Sequence, residues 1–201
     1  MKIIIHPTYF PNIDLLSQLI KSENILFEIS DKYIKQTLRN RTEIHAANGK
    51  LILSIPVKYS SSKKEKYKDI KICYNSSWQK IHLKSIESAY RNSPYYDFFE
   101  DYFIKFFNKK EKFLIDANIK SIELIYDILD MKMKYDLTND YKNKLENYTD
   151  YRKLVDSNPD EKMSKINYSQ VFQEKNGFIS GLSSLDIIFN KGLESLDYIN
   201  S

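Results

Sequence analysis

Glycine and cysteine are nearly missing from this 201-residue chain, which has four Gly and one Cys. So few glycines exclude a P-loop and a glycine-rich dinucleotide fingerprint, because both need glycine for tight turns and close backbone approach to phosphate. The lone Cys73 excludes a disulfide within the chain and a thiolate metal cage. Between Ile72 and Tyr74 it reads as a small buried strand residue. The three His, at positions 6, 45 and 82, have no tight ligand spacing, so no metal site is expected. No nucleophile elbow is visible. Long apolar runs are also lacking. Nothing approaches the roughly 20 residues of a membrane span, and Ile3-Ile4-Ile5 is too short for a secretory leader. A cytoplasmic chain without a membrane span is expected. Charge of one sign is scarce too: 31 basic and 27 acidic residues leave a formal +4. A nucleic-acid binder concentrates basic charge on one face. Here the clearest run, Lys63-Lys64-Glu65-Lys66, follows three Ser and reads as a solvated loop, so no nucleic-acid partner is expected.

What is present reads as an α/β chain. Ile3–Ile5 is a β-branched run stopped by Pro7, hence a buried strand entering a loop stiffened by Pro7 and Pro11. Asn12 suits the cap of a helix whose apolar positions 13, 16, 19 and 20 share one face. Residues 25–29 read as a second strand, giving a βαβ-type, partly parallel start. In such sheets ligands sit at the carboxyl ends of strands, which pairs loop 6–11 with loop 30–41. Asn48-Gly49 between apolar runs predicts a β-hairpin with a type I′ turn, returning along 51–57. Residues 69–74 read as one more strand.

A mostly helical C-terminal half follows. Helices are expected from Trp78 to Pro94, from about Tyr96, and over about 113–130. Phe99, Tyr102, Phe103, Phe106 and Phe107 form a helical stripe that reads first as core. Residues 139–165 are polar with few apolar anchors and read as a loosely ordered connector. Order returns at Tyr168–Phe172, and Ser183 or Ser184 caps a short helix over 185–190 that Gly192 ends. The chain is therefore read as one domain. Residues 1–76 form its α/β part, 77–131 its helical part, 139–165 a connector, and 166–201 a segment packing back.

Three polar groupings remain. His6 with Tyr9 places a proton carrier in the loop after the first strand, against the plainer reading of a loop His bonded to backbone. Gln36-Thr37-Leu38-Arg39-Asn40-Arg41 offers two guanidinium forks able to clamp phosphate or carboxylate, against a solvated charged segment. The stretch 78–95 puts His82, Ser85, Glu87, Tyr90, Arg91 and Tyr95 on and beside a helix. There His82 and Arg91 suit anion binding or carbonyl polarisation, against a helix docked by Trp78 and Tyr90.

These same residues carry a resemblance. Pro7-Thr8-Tyr9-Phe10-Pro11, Gln36 through Arg41, Asn48-Gly49, Pro56-Val57, Trp78, His82, Ser85 to Arg91 and Pro94-Tyr95 resemble the WbqC-like family. Tyr168 through Phe178, with Leu182–Asp186 and Phe189-Asn190, resembles its Bacteroidetes-type branch. The family is associated with O-antigen and other surface-polysaccharide gene clusters. The resemblance therefore implies a transferase of glycan precursor synthesis, passing an acyl or aminoacyl group to a nucleotide-linked amino sugar. The expected partner is a small-molecule substrate, a phosphorylated or nucleotide-activated sugar, and no cofactor is named. Arg39 and Arg41 would hold phosphate, with Gln36 and Asn40 beside them. His82 would act as acid or base, and Tyr9, Tyr90, Arg91 and Tyr95 would position substrate. Many members open His-Gln-Pro-x-Tyr-x-Pro. Aligned here, that motif puts the family's His at Ile5 and its Gln at His6, which ranks His6 below Arg39 and His82. Two other readings stand beside this one. A nucleotidyl or adenylyl transferase resembling the HIGH-motif superfamily would bind nucleoside triphosphate, although its His-x-Gly-His element is absent. A non-catalytic scaffold in glycan assembly would expose Phe99, Tyr102 and Phe106.

Overall fold

The computed structural model describes residues 1–60, 64–156 and 166–200. The centre of the expected Ser/Lys loop (61–63) and the end of the expected connector (157–165) lie outside the described residues. A four-stranded parallel sheet forms the base of the molecule. Strand β1 (Lys2–Ile5) lies between β2 (Asn24–Phe27) and β8 (Thr149–Asp150), and β7 (Tyr135–Leu137) extends the sheet beyond β2. Ile3, Ile4 and Ile5 are all buried, so both faces of β1 are covered, as a central parallel strand requires. Helix α1 (Ile13–Ile20) makes the crossover from β1 to β2. It starts where expected: the Asn12 side chain accepts from the Leu15 amide at 2.9 Å.

The stretch expected as a loosely ordered connector contains β8 and a 3-10 turn at Arg152–Val155. Two residues of strand show no periodicity, and β8 is held by parallel pairing with β1, Ile3 with Thr149 and Ile4 with Asp150, across nearly 150 residues. β7 escaped notice for a similar reason, its three residues all being exposed along the edge.

The hairpin consists of β3 (Arg41–Ala46) and β4 (Gly49–Ser54), but Ala46 pairs with Gly49, so Ala47 and Asn48 form the turn instead of Asn48 and Gly49. Ala47 and Asn48 both keep negative φ, and only Gly49 is left-handed at φ 99°. Gly49 therefore serves as the residue that follows an ordinary turn, rather than as part of a mirror-type one. The continuation expected over 51–57 divides at Pro56. Val57–Lys58 (β5) then pairs with Lys71–Ile72 (β6), all that forms of the strand expected over 69–74. Cys73 follows β6 and is half-buried.

Helices α2 (Trp78–Tyr90), α3 (Tyr96–Asn108) and α4 (Leu114–Ile128) follow as expected. α4 is buried nearly all round. Leu114, Ala117, Leu124 and Ile125 join a core shared with α2, α3 and the hairpin, whereas Ile115, Ile119, Ile122 and Tyr126 face the core of β1, β2 and α1. On α3, Phe103 and Phe107 are buried, Phe99 and Phe106 pack against that core, and Tyr102 and Phe98 are exposed. The aromatic stripe is thus mainly core. After the short α5 (Gln173–Asn176), Ser183 caps α6 (Ser184–Lys191), which Gly192 ends at φ 56°. The Ser183 hydroxyl accepts from the Leu185 amide at 3.3 Å. Phe189 of α6 stacks on Tyr90, and α7 (Ser195–Asn200) closes the described chain. Among the described residues no helix is long and apolar enough to cross a membrane.

Candidate functional site

Charged side chains gather where the parallel strands end. His6 is the first residue beyond β1, and Pro7, which has no amide proton, keeps the ladder from continuing. Loop 30–41 after β2 folds back over it. The Tyr9 amide donates to the Leu38 carbonyl at 3.2 Å, and Arg39 Nη2 reaches His6 Nε2 at 2.9 Å. Asp31 Oδ2 lies 3.3 Å from the same nitrogen and 3.8 Å from Arg39 Nη2. The Asn118 amide on α4 pins both loops, bonding the Arg39 and Pro7 carbonyls and the Tyr67 hydroxyl. Tyr67 donates in turn to the Pro7 carbonyl at 2.6 Å, and its ring faces the Arg39 guanidinium at 5.6 Å. Each loop also holds one non-glycine residue at positive φ, Phe10 at 40° and Gln36 at 62°. For fully buried Phe10 this is a strained geometry. It is sustained by the Ser121 hydroxyl on its amide and by Thr42 and Ser183 on its carbonyl.

Hydrogen bonding sets the protonation state of His6. Nδ1 faces the Arg152 carbonyl at 3.3 Å and must carry the proton there, while Nε2 accepts from Arg39. Burial lowers the His6 pKa most. A bond to Asp31, made only by the charged ring, raises it, the Arg39 charge lowers it again, and the net value lies below the ordinary one. The imidazole is therefore neutral at pH 7, with its lone pair on Nε2. Burial pushes the Asp31 carboxyl up, but His6, the Lys32 amide and Arg39 outweigh it, so Asp31 is ionised. Arg39 is almost completely buried, and burial lowers its pKa as well.

A second ionic group supports the first. Arg152 grips Asp150 through two nitrogens, caps the Lys142 and Asn143 carbonyls at 2.8 Å each, and lies 3.6 Å from buried Glu28. Glu28 accepts from the Ser30 amide and the Thr138 hydroxyl, both at 2.8 Å. Arg152 thus locks the end of β8, the 142–143 backbone and the ends of β2 and β7 around His6 Nδ1. Asp31, Glu28, Asp150, Arg152, Tyr67 and Asn118 were not among the sequence-based candidates. The one legible signal was that Glu28 and Asp31 stand at the carboxyl end of an apolar strand, where ligands bind.

The other candidates fall in three places. Tyr9, buried, points its hydroxyl at His82 Nδ1, 2.9 Å away. His82 lies among Trp78, Phe107 and Tyr9, and burial, only partly offset by a bond to the Ser54 backbone, depresses its pKa to about 4. Tyr9 thus joins the two regions expected to cooperate, its amide on loop 30–41 and its hydroxyl on α2. Tyr90 belongs instead to a buried polar group near α6. There Asp186 Oδ2 accepts from Tyr168 at 2.7 Å and Gln170 at 2.9 Å, and the His45 amide donates to the Tyr90 hydroxyl at 3.3 Å. Arg91 is exposed and pairs with Glu87 at 3.2 Å, and Tyr95 stacks on Phe99; their partners lie away from the loops after β1 and β2. Asn40 donates to the Ile55 carbonyl at 3.2 Å, and Arg41 opens β3. Among the described residues no group of three or more His, Cys, Asp or Glu is arranged to hold a metal ion.

No curated protein and no solved structure is similar to the chain at a significant level. The sequence profile of the WbqC-like protein family matches residues 6–160, which spans the His6 loop, the Gln36–Arg41 segment, α2 and the Arg152 lock. That match covers well over half of the sequence, and the chain belongs to the WbqC-like protein family.

Proposed function

We propose that this chain is a transferase of surface-glycan precursor synthesis, moving an acyl or aminoacyl group from an activated donor to the amine of a nucleotide-linked amino sugar. Family membership supports the glycan setting. The observation that carries the chemistry is His6 Nε2, held between Arg39 Nη2 at 2.9 Å and Asp31 Oδ2 at 3.3 Å at the carboxyl end of a parallel sheet. As the sugar amine attacks the donor carbonyl, His6 takes the amine proton on Nε2. That nitrogen then donates to Asp31 instead of accepting from Arg39. Arg39 Nη2 is released as negative charge develops on the tetrahedral oxygen, where a guanidinium stabilises it. The new N–C bond forms, the bond from the carbonyl carbon to the donor's carrier breaks, and the imidazolium returns its proton to the departing carrier. His82 has a different part in this scheme: kept neutral by burial, it accepts from Tyr9 and orients it.

The test is product mass after incubation with a panel of nucleotide-linked amino sugars and activated acyl donors. Once a pair reacts, His6→Gln should lower turnover by about 10²–10⁴-fold, the range for a positioned proton carrier, with substrate binding kept. Full turnover by that variant would remove His6 from the mechanism.

A further inference from the structure

In the segment from Tyr33 to Arg41 three buried hydrogen-bond donors point to no acceptor among the described residues: the Tyr33 hydroxyl, Arg39 Nε and Arg41 Nε. Buried donors without acceptors are costly and uncommon, so three together call for an explanation. They share one neighbourhood. The Tyr33 hydroxyl lies within the field of both guanidiniums, its ring stacks on Tyr67 at 6.2 Å, and Arg39 sits over that same Tyr67 ring. Tyr33 and Arg39 are themselves nearly inaccessible, 3% and 1% exposed.

We infer that Tyr33, Arg39 and Arg41 form a receptor for one phosphoryl group, whose terminal oxygens supply the three missing acceptors. A phosphoryl group suits this set because its three terminal oxygens can each take one of the three donors. Planar guanidinium forks match phosphate geometry. Tyr33 keeps its proton and so remains a donor: burial pushes its pKa up to about 12 despite the two Arg charges. The local charges also fit. Asp31 and Asp156 face Arg39 and offset much of its charge, which leaves Arg41 as the cation available to an anion. Tyr59, half-buried, stands edge-on to Tyr33 at 5.1 Å, with exposed Lys35 over its ring at 4.8 Å. That the phosphoryl group belongs to an activated sugar rests on the proposed function; the receptor does not.

The test is calorimetric titration of the full chain with inorganic phosphate, and with acetate at the same concentrations, with no turnover measured. Wild type should bind phosphate in preference to acetate. Tyr33→Phe and Arg41→Gln should each weaken phosphate binding about tenfold or more, the loss of one good hydrogen bond to a charge. Because only binding is measured, the outcome is separate from that of the proton-transfer scheme. Without phosphate, Tyr33→Phe should melt no lower than wild type, because it removes a hydroxyl that has no partner among the described residues. Equal affinity for acetate, unchanged phosphate affinity in both donor variants, or a lowered melting temperature for Tyr33→Phe would each overturn the inference.

Discussion

Asp186 supplies a stability prediction with a definite sign. Its carboxyl is fully buried at the start of α6, and burial raises its pKa to about 6 from an ordinary 3.8, although Tyr168, Tyr90 and Gln170 pull it back. One pKa unit corresponds to about 1.4 kcal/mol, so a shift of about two units represents about 3 kcal/mol. Because the folded-state value is the higher one, the folded chain holds this proton more tightly than the unfolded chain. Stability from Asp186 is therefore complete below about pH 4, falls between pH 4 and 6, and stays about 3 kcal/mol lower above pH 6. Asp186→Asn imitates the protonated form. Its oxygen can accept from Tyr168 and Gln170, and its NH2 group can face the Tyr90 hydroxyl. Urea unfolding of both proteins across pH 3.5–8 isolates the effect, because Asp31 and Asp150, whose pKa values are lowered, contribute equally to each. Wild type should lose about 3 kcal/mol relative to the variant between pH 4 and 6, or about 6–12 °C in melting temperature for a chain of this size. A difference that stays constant with pH would refute the reasoning, and one that grows in wild type's favour as pH rises would reverse its sign.

Two further outcomes follow from the same geometry. Burial lowers the pKa of all three His, so their ring protons should titrate below pH 6.5 in NMR spectra, His82 near 4; a resonance titrating above 6.5 contradicts this. Gly192→Ala should destabilise the fold by about 1–3 kcal/mol, because φ is 56° and a Cβ there would lie 2.6 Å from two Tyr95 ring atoms. Thermal unfolding measures it, and Tyr95→Ala in the same chain should recover the part due to the clash but not the part due to φ.

Local signals were legible where one residue decides the outcome. Asn12 starts α1, Ser183 starts α6, Gly192 stops it, and the β-branched run at 3–5 is a strand, because caps, breakers and runs act within a few residues. The pairing of loop 6–11 with loop 30–41 could also be read, since parallel strands bring their carboxyl-end loops together. His6 and Arg39 were each visible as types but not as a pair. The motif alignment that ranked His6 lower carries no information on its place as the first residue beyond a central strand, where it meets Arg39. Asp31, Glu28 and Arg152 were hidden because their meaning lies in partners far along the chain; Thr138, which bonds Glu28, is 110 residues away. The fate of Tyr90 was hidden likewise, since nothing near position 90 announces Asp186. At Asn48-Gly49 the dipeptide located the turn but not its type, which depends on which residue of the pair takes positive φ.

The Arg152 carbonyl that fixes the His6 proton on Nδ1 comes from a residue 146 positions later. Contacts of such separation form slowly, because a long loop must close before they give any return. In a growing chain β1 can pair with β2 early, but β8 has yet to be made, and the imidazole has no acceptor to select its tautomer. The proposed base is therefore armed by the completion of folding rather than by the loop that bears it. Half-made or partly unfolded chains keep His6 and Arg39 but lack the Arg152 carbonyl that fixes the ring's tautomer.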